Sequence, residues 1–331
     1  MSTHDLVVIG ASAGGIEALT QLVGELPADL EAAVFVVVHT PANARSELPR
    51  LLARAGPLPA AHVADAEPVE CGRIRVAPPG LHLLVKPGFV RLVQGPPEHG
   101  FRPAIDPLFR SAASAYGPRT VAVALSGVLD DGSAGAREVE AAGGRVLVQD
   151  VEEATFPDLP ANVADACTSA ESLTIAELAR RITTLTRIPA AAALDDPPTP
   201  DPLELAVSRH GTQQRDQEGG QLPAVCPDCG GPLRVVAGRD EVPVFRCHVG
   251  HAWGGRSLLD AQGVQIEGSL WTVVRLLEER SELAQRLRER AAERDLGRAV
   301  RRYDEQIDDI EQQLEHLRSL LAAGGAASSA G

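Results

Sequence analysis

The sequence predicts an α/β domain with a doubly wound, mostly parallel sheet over residues 1–188. Short apolar runs, such as residues 6–9 and 33–38, alternate with amphipathic stretches. Strands that crossover helices cover on both faces have this composition, because neither face of such a strand meets water. Aromatic residues make up only 3% of the chain, so the core must consist mainly of Ala, Val, Leu and Ile side chains.

The elements of this domain follow from the alternation of apolar runs and turn signals. Residues 6–9 form the first strand, and a glycine-rich turn leads from it to a helix over residues 15–26. Residues 73–93 differ, because Pro and Gly interrupt an alternating pattern that predicts an antiparallel hairpin. The other predicted elements are strands at 33–38, 121–125 and 145–149 and helices at 46–55, 133–142 and 171–187.

The composition changes after this domain. Residues 189–222 are rich in Pro, Asp, Gln and Gly and predict a flexible linker. Residues 223–262 form a small Cys/His module of the zinc-ribbon type, and residues 263–322 are helical, with Gly297 placed to divide them into a hairpin. Residues 323–331 are predicted to be disordered. Apolar spacing predicts a coiled-coil seam in the helical segment, formed by Val300, Tyr303, Ile307, Ile310, Leu314, Leu317 and Leu321.

The charge and the cysteine content exclude several classes of protein. The chain has 31 Lys and Arg against 45 Asp and Glu, and its net charge of −14 argues against a general nucleic-acid binder, which needs a basic surface. Five cysteines, an odd number, argue against a disulfide framework. The apolar runs are too short for a membrane span, and the N-terminus lacks a secretory signal. We therefore expect a cytoplasmic protein without membrane insertion or nucleic-acid binding.

The first predicted turn carries a candidate nucleophile. Residues 10–14 match G-x-S-x-G, with Ser12 at the centre. In this motif a tight strand-to-helix turn exposes the serine hydroxyl, and N–H groups of the helix N-terminus face developing negative charge. A dinucleotide loop is excluded because Ser12 replaces a required glycine, and a phosphate loop because no Gly-Lys-Ser/Thr follows. The motif alone fits a simple turn residue equally well.

Two further polar residues follow strand ends. His39 ends the second strand, and Asp131 lies in the loop after the strand at 121–125. The carboxyl ends of parallel strands meet at one edge of an open sheet, where ligands bind. We therefore predict that Ser12, His39 and Asp131 meet there. Ser12 would be the nucleophile, His39 the general base and Asp131 the residue that orients the imidazolium.

The first domain also resembles a known family, the chemotaxis protein-glutamate methylesterases of the CheB type. The segments that carry the resemblance occur in the family's order and are GASAGGIEAL, VVVHTPANARSELPRLL, VAPPGLHLLV, RPAIDPLFRSAA, LSGVLDDGSAG and PDLPANVADA. The resemblance implies hydrolysis of glutamyl methyl esters on chemoreceptors, with glutamine deamidation as a second activity. It places the family's nucleophile on Ser12, its general base on His39 and its third triad member on Asp131. Its oxyanion donors fall on backbone N–H groups near Ala13 and Val128.

The sequence departs from this family in several places. Family members usually begin with a phosphorylatable receiver domain, whereas the first strand comes almost at once here, so the resemblance implies a receiver-less form. Ala13 stands where Thr is usual. Asp130 adds a carboxylate beside the triad acid, and we expect it to be a solvent-facing turn residue. Arg102 and Arg110 are candidates for binding an acidic receptor helix, although ion pairs with Asp106 and its neighbours explain them equally well.

The Cys/His module carries a candidate metal site. Cys226 and Cys229 form a C-x-x-C turn, and Cys247 is followed by two histidines. These thiolates with one histidine would complete a tetrahedral zinc site. We favour His251 over His248 as the fourth ligand, because the longer spacing from Cys247 allows chelation. With no open coordination position, we expect a structural Zn²⁺. The alternatives are reduced cysteines without metal and a redox C-x-x-C.

Together these features predict a cytoplasmic protein-glutamate methylesterase that uses a serine triad and needs no cofactor for catalysis. Its expected partners are the cytoplasmic domains of methylated chemoreceptors, and its C-terminal helices are expected to mediate self-association. Two alternatives remain open. The same chemistry could act on an ester or amide of a protein other than a chemoreceptor. Alternatively, the groove at the sheet edge where Ser12, His39 and Asp131 meet could bind protein in a signalling scaffold without catalysis.

Overall fold

The computed structural model describes residues 3–41, 44, 46–191, 221–236, 243–294 and 296–328. The chain divides into two compact units, Met1–Leu258 and Leu259–Gly331. Most of the predicted linker and the end of the predicted tail, residues 192–220 and 329–331, lie outside the described residues.

A seven-stranded sheet forms the centre of the first unit. Its strands are β1 (Leu6–Ala11), β2 (Ala33–Val38), β3 (Ala60–His62), β4 (Arg73–Val76), β7 (Thr120–Ala124), β8 (Arg145–Gln149) and β9 (Glu171–Leu173). The strand order is β3-β4-β2-β1-β7-β8-β9, and every pair of neighbours is parallel. A separate antiparallel hairpin consists of β5 (His82–Lys86) and β6 (Phe89–Val93).

Helices cover both faces of this sheet. They are α1 (Gly15–Glu25), α2 (Leu48–Ala55), α3 (Ile105–Tyr116), α4 (Ser133–Ala141), α5 (Asp158–Ala166) and α6 (Ile175–Leu185). Apolar residues of α1, α2 and α6 pack on one face of the sheet. Those of α3, α4, α5 and the β5–β6 hairpin pack on the other. The predicted doubly wound fold is therefore confirmed.

The strand order determines where a site can form. β1 lies between β2 and β7, so the chain reverses its direction of travel across the sheet beside β1. In open α/β sheets the crevice at such a reversal, beyond the carboxyl ends of the strands, is the usual binding site. The loops after β1, β2 and β7 all open at this edge.

Two predictions of local structure are wrong. Residues 73–93 were expected to be one antiparallel hairpin, but Arg73–Val76 joins the parallel sheet beside β2 and only β5 and β6 form the hairpin. Residues 171–187 were expected to be one helix, but Glu171–Leu173 pairs with β8. Thr174 then starts α6 through a capping box with Glu177, which explains why the helix begins there.

The Cys/His module belongs to the first unit. It contains an antiparallel sheet of β10 (Gln221–Val225), β11 (Pro232–Val236), β12 (Val244–Cys247) and β13 (Ala252–Trp253). The helix α7 (Gly255–Ala292) begins directly after β13, earlier than the predicted start of the helical segment at residue 263. Its first turn, up to Leu258, is part of the first unit.

The second unit consists of the rest of α7 and of α8 (Gly297–Ser328). The two helices share an apolar cluster of Val274, Leu277, Ile310, Leu314, Leu317 and Leu321. The expected division at Gly297 agrees with the start of α8, whereas residues 323–328, predicted to be disordered, are helical. Among the described residues, no helix combines the length and apolar composition needed to cross a bilayer.

Candidate active site and Cys/His cluster

Ser12 lies in the turn between β1 and α1. Its backbone N–H donates to the carbonyl oxygen of Ser126 at 3.0 Å, and its carbonyl oxygen accepts from Gly15 N–H at 3.0 Å. The loop after β7 lies against it, because a Cβ atom on Gly127 would be 2.8 Å from the Cβ of Ser12. The turn and this loop therefore hold the partly buried Ser12 between the ends of two neighbouring strands.

His39 connects Ser12 to Asp131. Its Nδ1 lies 3.0 Å from the Ser12 Oγ, and its Nε2 lies 2.6 Å from the Asp131 Oδ2. The side chains of His39 and Asp131 are only 4% and 1% exposed. One imidazole nitrogen can therefore accept the serine proton while the other remains bonded to a carboxylate that stabilises the resulting cation.

The first turn of α3 holds Asp131 in place. Its Oδ2 accepts from Ile105 N–H at 2.7 Å, and its Oδ1 accepts from Asp106 N–H at 3.0 Å. Burial opposes ionisation of this carboxyl group, but the charge of His99 and the hydrogen bond from His39 outweigh it and lower the pKa of Asp131. The helix N-terminus favours negative charge as well. Asp131 is therefore a carboxylate at neutral pH.

The backbone positions predicted to bind an oxyanion flank Ser12. Ala13 is the next residue in the turn, and Val128 follows Gly127 in the loop that lies against Ser12. Gly127 N–H donates to the carbonyl oxygen of Phe156 at 2.9 Å, which ties this loop to the segment before α5. The oxyanion role of the two N–H groups remains a prediction.

A second buried histidine, which the sequence analysis did not identify, lies behind the triad. His99 Nε2 is 2.9 Å from the Asp106 Oδ2 and 3.7 Å from the Asp131 Oδ1, while Nδ1 is 2.9 Å from the Ser257 Oγ. Burial opposes protonation of this ring, but the charge of Asp131 and the hydrogen bonds to Asp106 and Asp130 outweigh it and raise the pKa of His99 well above its ordinary value. No sequence spacing marks this group, because its partners come from separate segments.

The prediction that Asp130 is a solvent-facing turn residue is wrong. Its side chain is only 14% exposed. Its carboxylate accepts from the N–H groups of Arg256 at 3.0 Å and Ser257 at 3.2 Å, and from the hydroxyl of Ser257. The first N–H groups of a helix have no partner inside the helix, so a carboxylate is well placed at the start of α7.

Arg102 and Arg110 both use their guanidinium groups within the fold. Arg102 donates to the carbonyl oxygen of Gly95 at 2.6 Å. Arg110 donates through both terminal nitrogens to Glu98, at 3.0 and 3.1 Å, and the Glu98 side chain is only 1% exposed. These contacts favour the ion-pair explanation for Arg110, with Glu98 as a partner at hydrogen-bond distance. Receptor binding by either arginine remains a prediction.

The predicted metal ligands come together in the Cys/His cluster, which consists of Cys226, Cys229, Cys247 and His251. One ligand atom from each residue lies within 4.8 Å of all the others. The Cys229 and Cys247 sulfur atoms are 3.6 Å apart, and His251 Nδ1 lies 3.6 Å from Cys226 Sγ and 3.4 Å from Cys247 Sγ. The alternative ligand, His248, is not in this cluster but exposed next to it.

These separations fit a tetrahedral zinc ion. Zn–S and Zn–N bonds of about 2.3 and 2.0 Å at tetrahedral angles imply S···S and S···N distances of about 3.8 and 3.5 Å. The other ring nitrogen of His251 lies 3.8 Å from the Asp228 carboxylate, the kind of outer partner that orients metal-bound histidines. Three thiolates and an imidazole leave no position for substrate, so the donor set fits a structural ion.

The first domain is similar in sequence to known proteins. The sequence model described as CheB methylesterase matches residues 7–182. A protein-glutamate methylesterase/protein-glutamine glutaminase of Myxococcus xanthus is 38% identical over 183 residues, which are 55% of this chain and 52% of that protein. The corresponding protein of Symbiobacterium thermophilum is 37% identical over 179 residues, 54% of this chain and 49% of that protein.

A solved structure agrees with this result. The crystal structure of the Thermotoga maritima CheB methylesterase catalytic domain matches with a TM-score of 0.53 and 29% sequence identity. The match covers 56% of this chain and 99% of that domain. The chain spans about half the length of the curated relatives named above.

Proposed function

The chain belongs to the CheB methylesterase family, and from this premise we propose that its first domain hydrolyses glutamyl methyl esters on the cytoplasmic domains of chemoreceptors. Deamidation of glutamine side chains is a second reaction that the same machinery can perform. The observation that carries the proposal is the continuous hydrogen-bonded chain from Ser12 through His39 to Asp131 at the carboxyl edge of the sheet. Chemoreceptor domains of this kind imply a cytoplasmic site of action.

In the proposed reaction, Ser12 Oγ attacks the ester carbonyl carbon and its proton passes to His39 Nδ1. The N–H groups of Ala13 and Val128 are proposed to stabilise the oxyanion that forms. As the tetrahedral intermediate collapses, His39 returns the proton to the leaving oxygen, and methanol departs from an acyl-enzyme. Water then repeats the sequence, with His39 as base, and releases glutamate and free Ser12. With glutamine as substrate, the first leaving group is ammonia.

The test measures methanol release from a methylated receptor cytoplasmic fragment. Ser12→Ala and Asp131→Asn should each lower turnover on the order of 10⁴-fold, because the first removes the nucleophile and the second removes the carboxylate that selects the tautomer of His39 and stabilises its cation. Ser172→Ala, an exposed serine on β9, is the matched control and should leave turnover unchanged.

Two other outcomes correspond to the open alternatives. If wild-type Ser12 reacts rapidly with a fluorophosphonate but no methanol is released, the enzyme acts on another protein. If Ser12 reacts no faster in the wild type than in His39→Ala, the groove is not a serine hydrolase site, and the scaffold alternative replaces the proposal.

We also propose that the Cys/His cluster holds one structural Zn²⁺, with Cys226, Cys229, Cys247 and His251 as ligands. The ion would cross-link the turns of the small sheet and contribute to its folding. Metal analysis of purified protein should find one zinc per chain, and Cys229→Ser should lose it. Cys71→Ser, which changes an exposed cysteine outside the cluster, should retain it. A wild-type content below about half an equivalent would contradict a tight structural site.

We further propose that the second unit self-associates through α7. Its face towards α8 carries Val274 and Leu277, and an adjacent face presents Val273, Leu276 and Leu283 with 43%, 50% and 59% exposure. Val273, Leu276 and Leu283 have the heptad spacing of a coiled-coil seam. The same face of α7 in a second copy of the chain has the same length and polarity and can therefore pack against it. Leu276→Glu with Leu283→Glu should reduce the mass measured by light scattering to that of one chain. Leu320→Glu, an exposed leucine of α8, is the control.

A further inference from the structure

The Cys/His module contacts the loops that hold the triad. We propose that residues 252–257, which include β13 and the first turn of α7, are a positioning element for His39 and Asp131. This inference rests on the proposed serine mechanism and adds to it a part of the chain outside the matched family domain. These residues act through others and do not touch the reacting atoms.

The first connection runs through Asp130, the residue before the triad acid. Its carboxylate caps the N-terminus of α7 through the N–H groups of Arg256 and Ser257. The fit is close, because a Cβ atom on Gly254 would come within 2.3 Å of the Asp130 Oδ2. Any side chain at position 254 would therefore displace this carboxylate from the N-terminus of α7.

The backbone of the same loop is held from the other side as well. Leu129 has a φ of 66°, a left-handed conformation that is unfavourable for a branched side chain. Its carbonyl oxygen accepts from Asn162 Nδ2 at 2.6 Å. Such a conformation persists when contacts on both sides require it, and here α5 supplies one side and the start of α7 the other. Without the contact from α7, the loop can relax and Asp131 can move.

The second connection runs through the turn at residues 98–101. His99 N–H donates to the carbonyl oxygen of Ala252 at 2.6 Å, and the ring of Trp253 packs over Gly100. Glu98 accepts from Arg246 at 3.2 Å, in addition to Arg110. The module therefore fixes both the backbone and the buried carboxylate of this turn.

The same turn reaches the general base. The ring of Phe101 stacks on the imidazole of His39, with centroids 3.7 Å apart and planes inclined by 5°. Phe101 limits the rotation of His39 about its side-chain bonds, and the module limits the position of Phe101. His39 is thus oriented by Asp131 at one edge and by a ring on its face, and residues 252–257 support both.

The third connection is the hydroxyl of Ser257. It lies 2.9 Å from His99 Nδ1 and also contacts the Asp130 carboxylate. Because His99 Nε2 faces Asp106 and Asp131, this hydroxyl links the module to the carboxylates that surround the triad acid. The Ser257 hydroxyl therefore links Asp130 to His99, and so links the loop before Asp131 to the turn at residues 98–101.

The test uses the second-order rate of Ser12 modification by a fluorophosphonate, followed by intact mass. This readout needs no knowledge of the natural substrate. Asp130→Ala and Gly254→Ala should slow modification about 10- to 100-fold, the cost expected when catalytic groups are misplaced by about 1 Å. Ser257→Ala removes one hydroxyl group and should slow it about 3- to 10-fold, the effect of one lost hydrogen bond of about 1 kcal/mol. Asp150→Ala is the control, because Asp150 caps a neighbouring loop at the same sheet edge.

Two further measurements separate positioning from general damage. On the receptor fragment, the folded variants should lower kcat and leave KM unchanged, since residues 252–257 do not contact substrate. Asp130→Asn keeps the acceptor oxygen and should recover part of the lost rate. A folded Ser257→Ala variant that is modified as fast as the wild type, together with an unaffected Gly254→Ala, overturns the inference. A wild type modified no faster than His39→Ala overturns the proposed function instead.

Discussion

The triad and the Cys/His cluster both join residues that are distant in the sequence, but the fold supports them differently. Ser12, His39 and Asp131 follow strands whose residues are all buried in the core. The residues of the Cys/His cluster lie in or beside the turns of the small β10–β13 sheet. Among the described residues of that module, the buried side chains are those of Cys226, Leu233, Cys247, Ala252, Trp253, Ser257 and Leu258.

The two sites therefore draw their stability from different sources. The core of the first domain positions the triad without a ligand, because burial of apolar strands and helices supplies the folding free energy. A module with so few buried side chains cannot supply as much, and a structural metal is the usual compensation in small domains. We therefore expect the triad and the cluster to respond differently to the same kind of change.

The largest expected effect is on turnover. Asp131→Asn should lower methanol release on the order of 10⁴-fold and leave the zinc content at one equivalent. Cys229→Ser should remove the zinc and lower turnover only about 10-fold, through the looser positioning of His39 and Asp131. Equal losses of turnover in the two variants would contradict this expectation, because the triad would then depend on the module for its formation.

The next largest effect is on stability. Leu19→Ala removes a fully buried side chain of α1 from the core and should lower the free energy of unfolding by about 2–5 kcal/mol. Leu51→Ala, a 44% exposed leucine of α2, should change it by less than about 1 kcal/mol. Urea denaturation followed by circular dichroism measures both. If a chelator lowered the stability of the first domain as much as Leu19→Ala does, the triad would not be independent of the metal.

A smaller effect with a pH dependence is expected at Glu98. Burial opposes ionisation of this carboxyl group, but Arg110 and Arg246 outweigh it and keep the pKa of Glu98 far below its ordinary value. Its contribution to stability is therefore fully present above pH 4.5, the ordinary pKa of glutamate, and is lost as the pH falls towards the folded-state pKa. Glu98→Gln should cost about 1.5–3 kcal/mol at pH 7, because it removes charged hydrogen bonds.

The difference between the wild type and Glu98→Gln should shrink as the pH is lowered from 5 to 3, in denaturation curves recorded at each pH. A constant difference over this range would contradict a stabilising carboxylate at this position. Glu25→Gln, which changes an exposed glutamate at the end of α1, is a control for general acid effects.

The smallest effect is local to one helix end. Thr174→Ala removes the side-chain cap of α6 and should lower stability by about 1 kcal/mol, without any change in turnover or zinc content. Thr184→Ala, a threonine of the same helix with an exposed hydroxyl, is the matched control. A larger loss for Thr174→Ala would indicate that this residue supports more of the domain than the first turn of α6.

Local pattern was enough to predict most of the first domain. The bounds of β2 and β8 agree with the predicted strands, because the inner positions of a strand buried on both faces are apolar. Residues 73–93 and 171–187 were assigned wrongly. In both, a short strand with exposed or partly buried positions joins the parallel sheet, and its partner is set by tertiary contacts that no local pattern shows.

The candidate sites divide in the same way. Ser12, His39 and Asp131 could be placed together from the sequence, because each follows a parallel strand and such strands end at one edge. The C-x-x-C turn and the spacing from Cys247 to His251 likewise allowed the four residues of the cluster to be predicted from the sequence. The backbone N–H groups that hold Asp131, by contrast, belong to α3, which the sequence patterns did not connect to it.

The sequence alone thus determined the candidate nucleophile turn, the polar residues at strand ends and the candidate metal-binding turn, because each is formed by neighbouring residues. The contacts of Asp130 and His99 with Ser257 could not be determined in this way, because they join residues more than a hundred positions apart whose side chains carry no distinguishing spacing. A carboxylate beside the triad could face solvent or cap a distant helix with equal local propensity. Only the packing of the module against the domain selects between these states, because burial makes an unpaired carboxylate costly and a helix N-terminus supplies the missing donors.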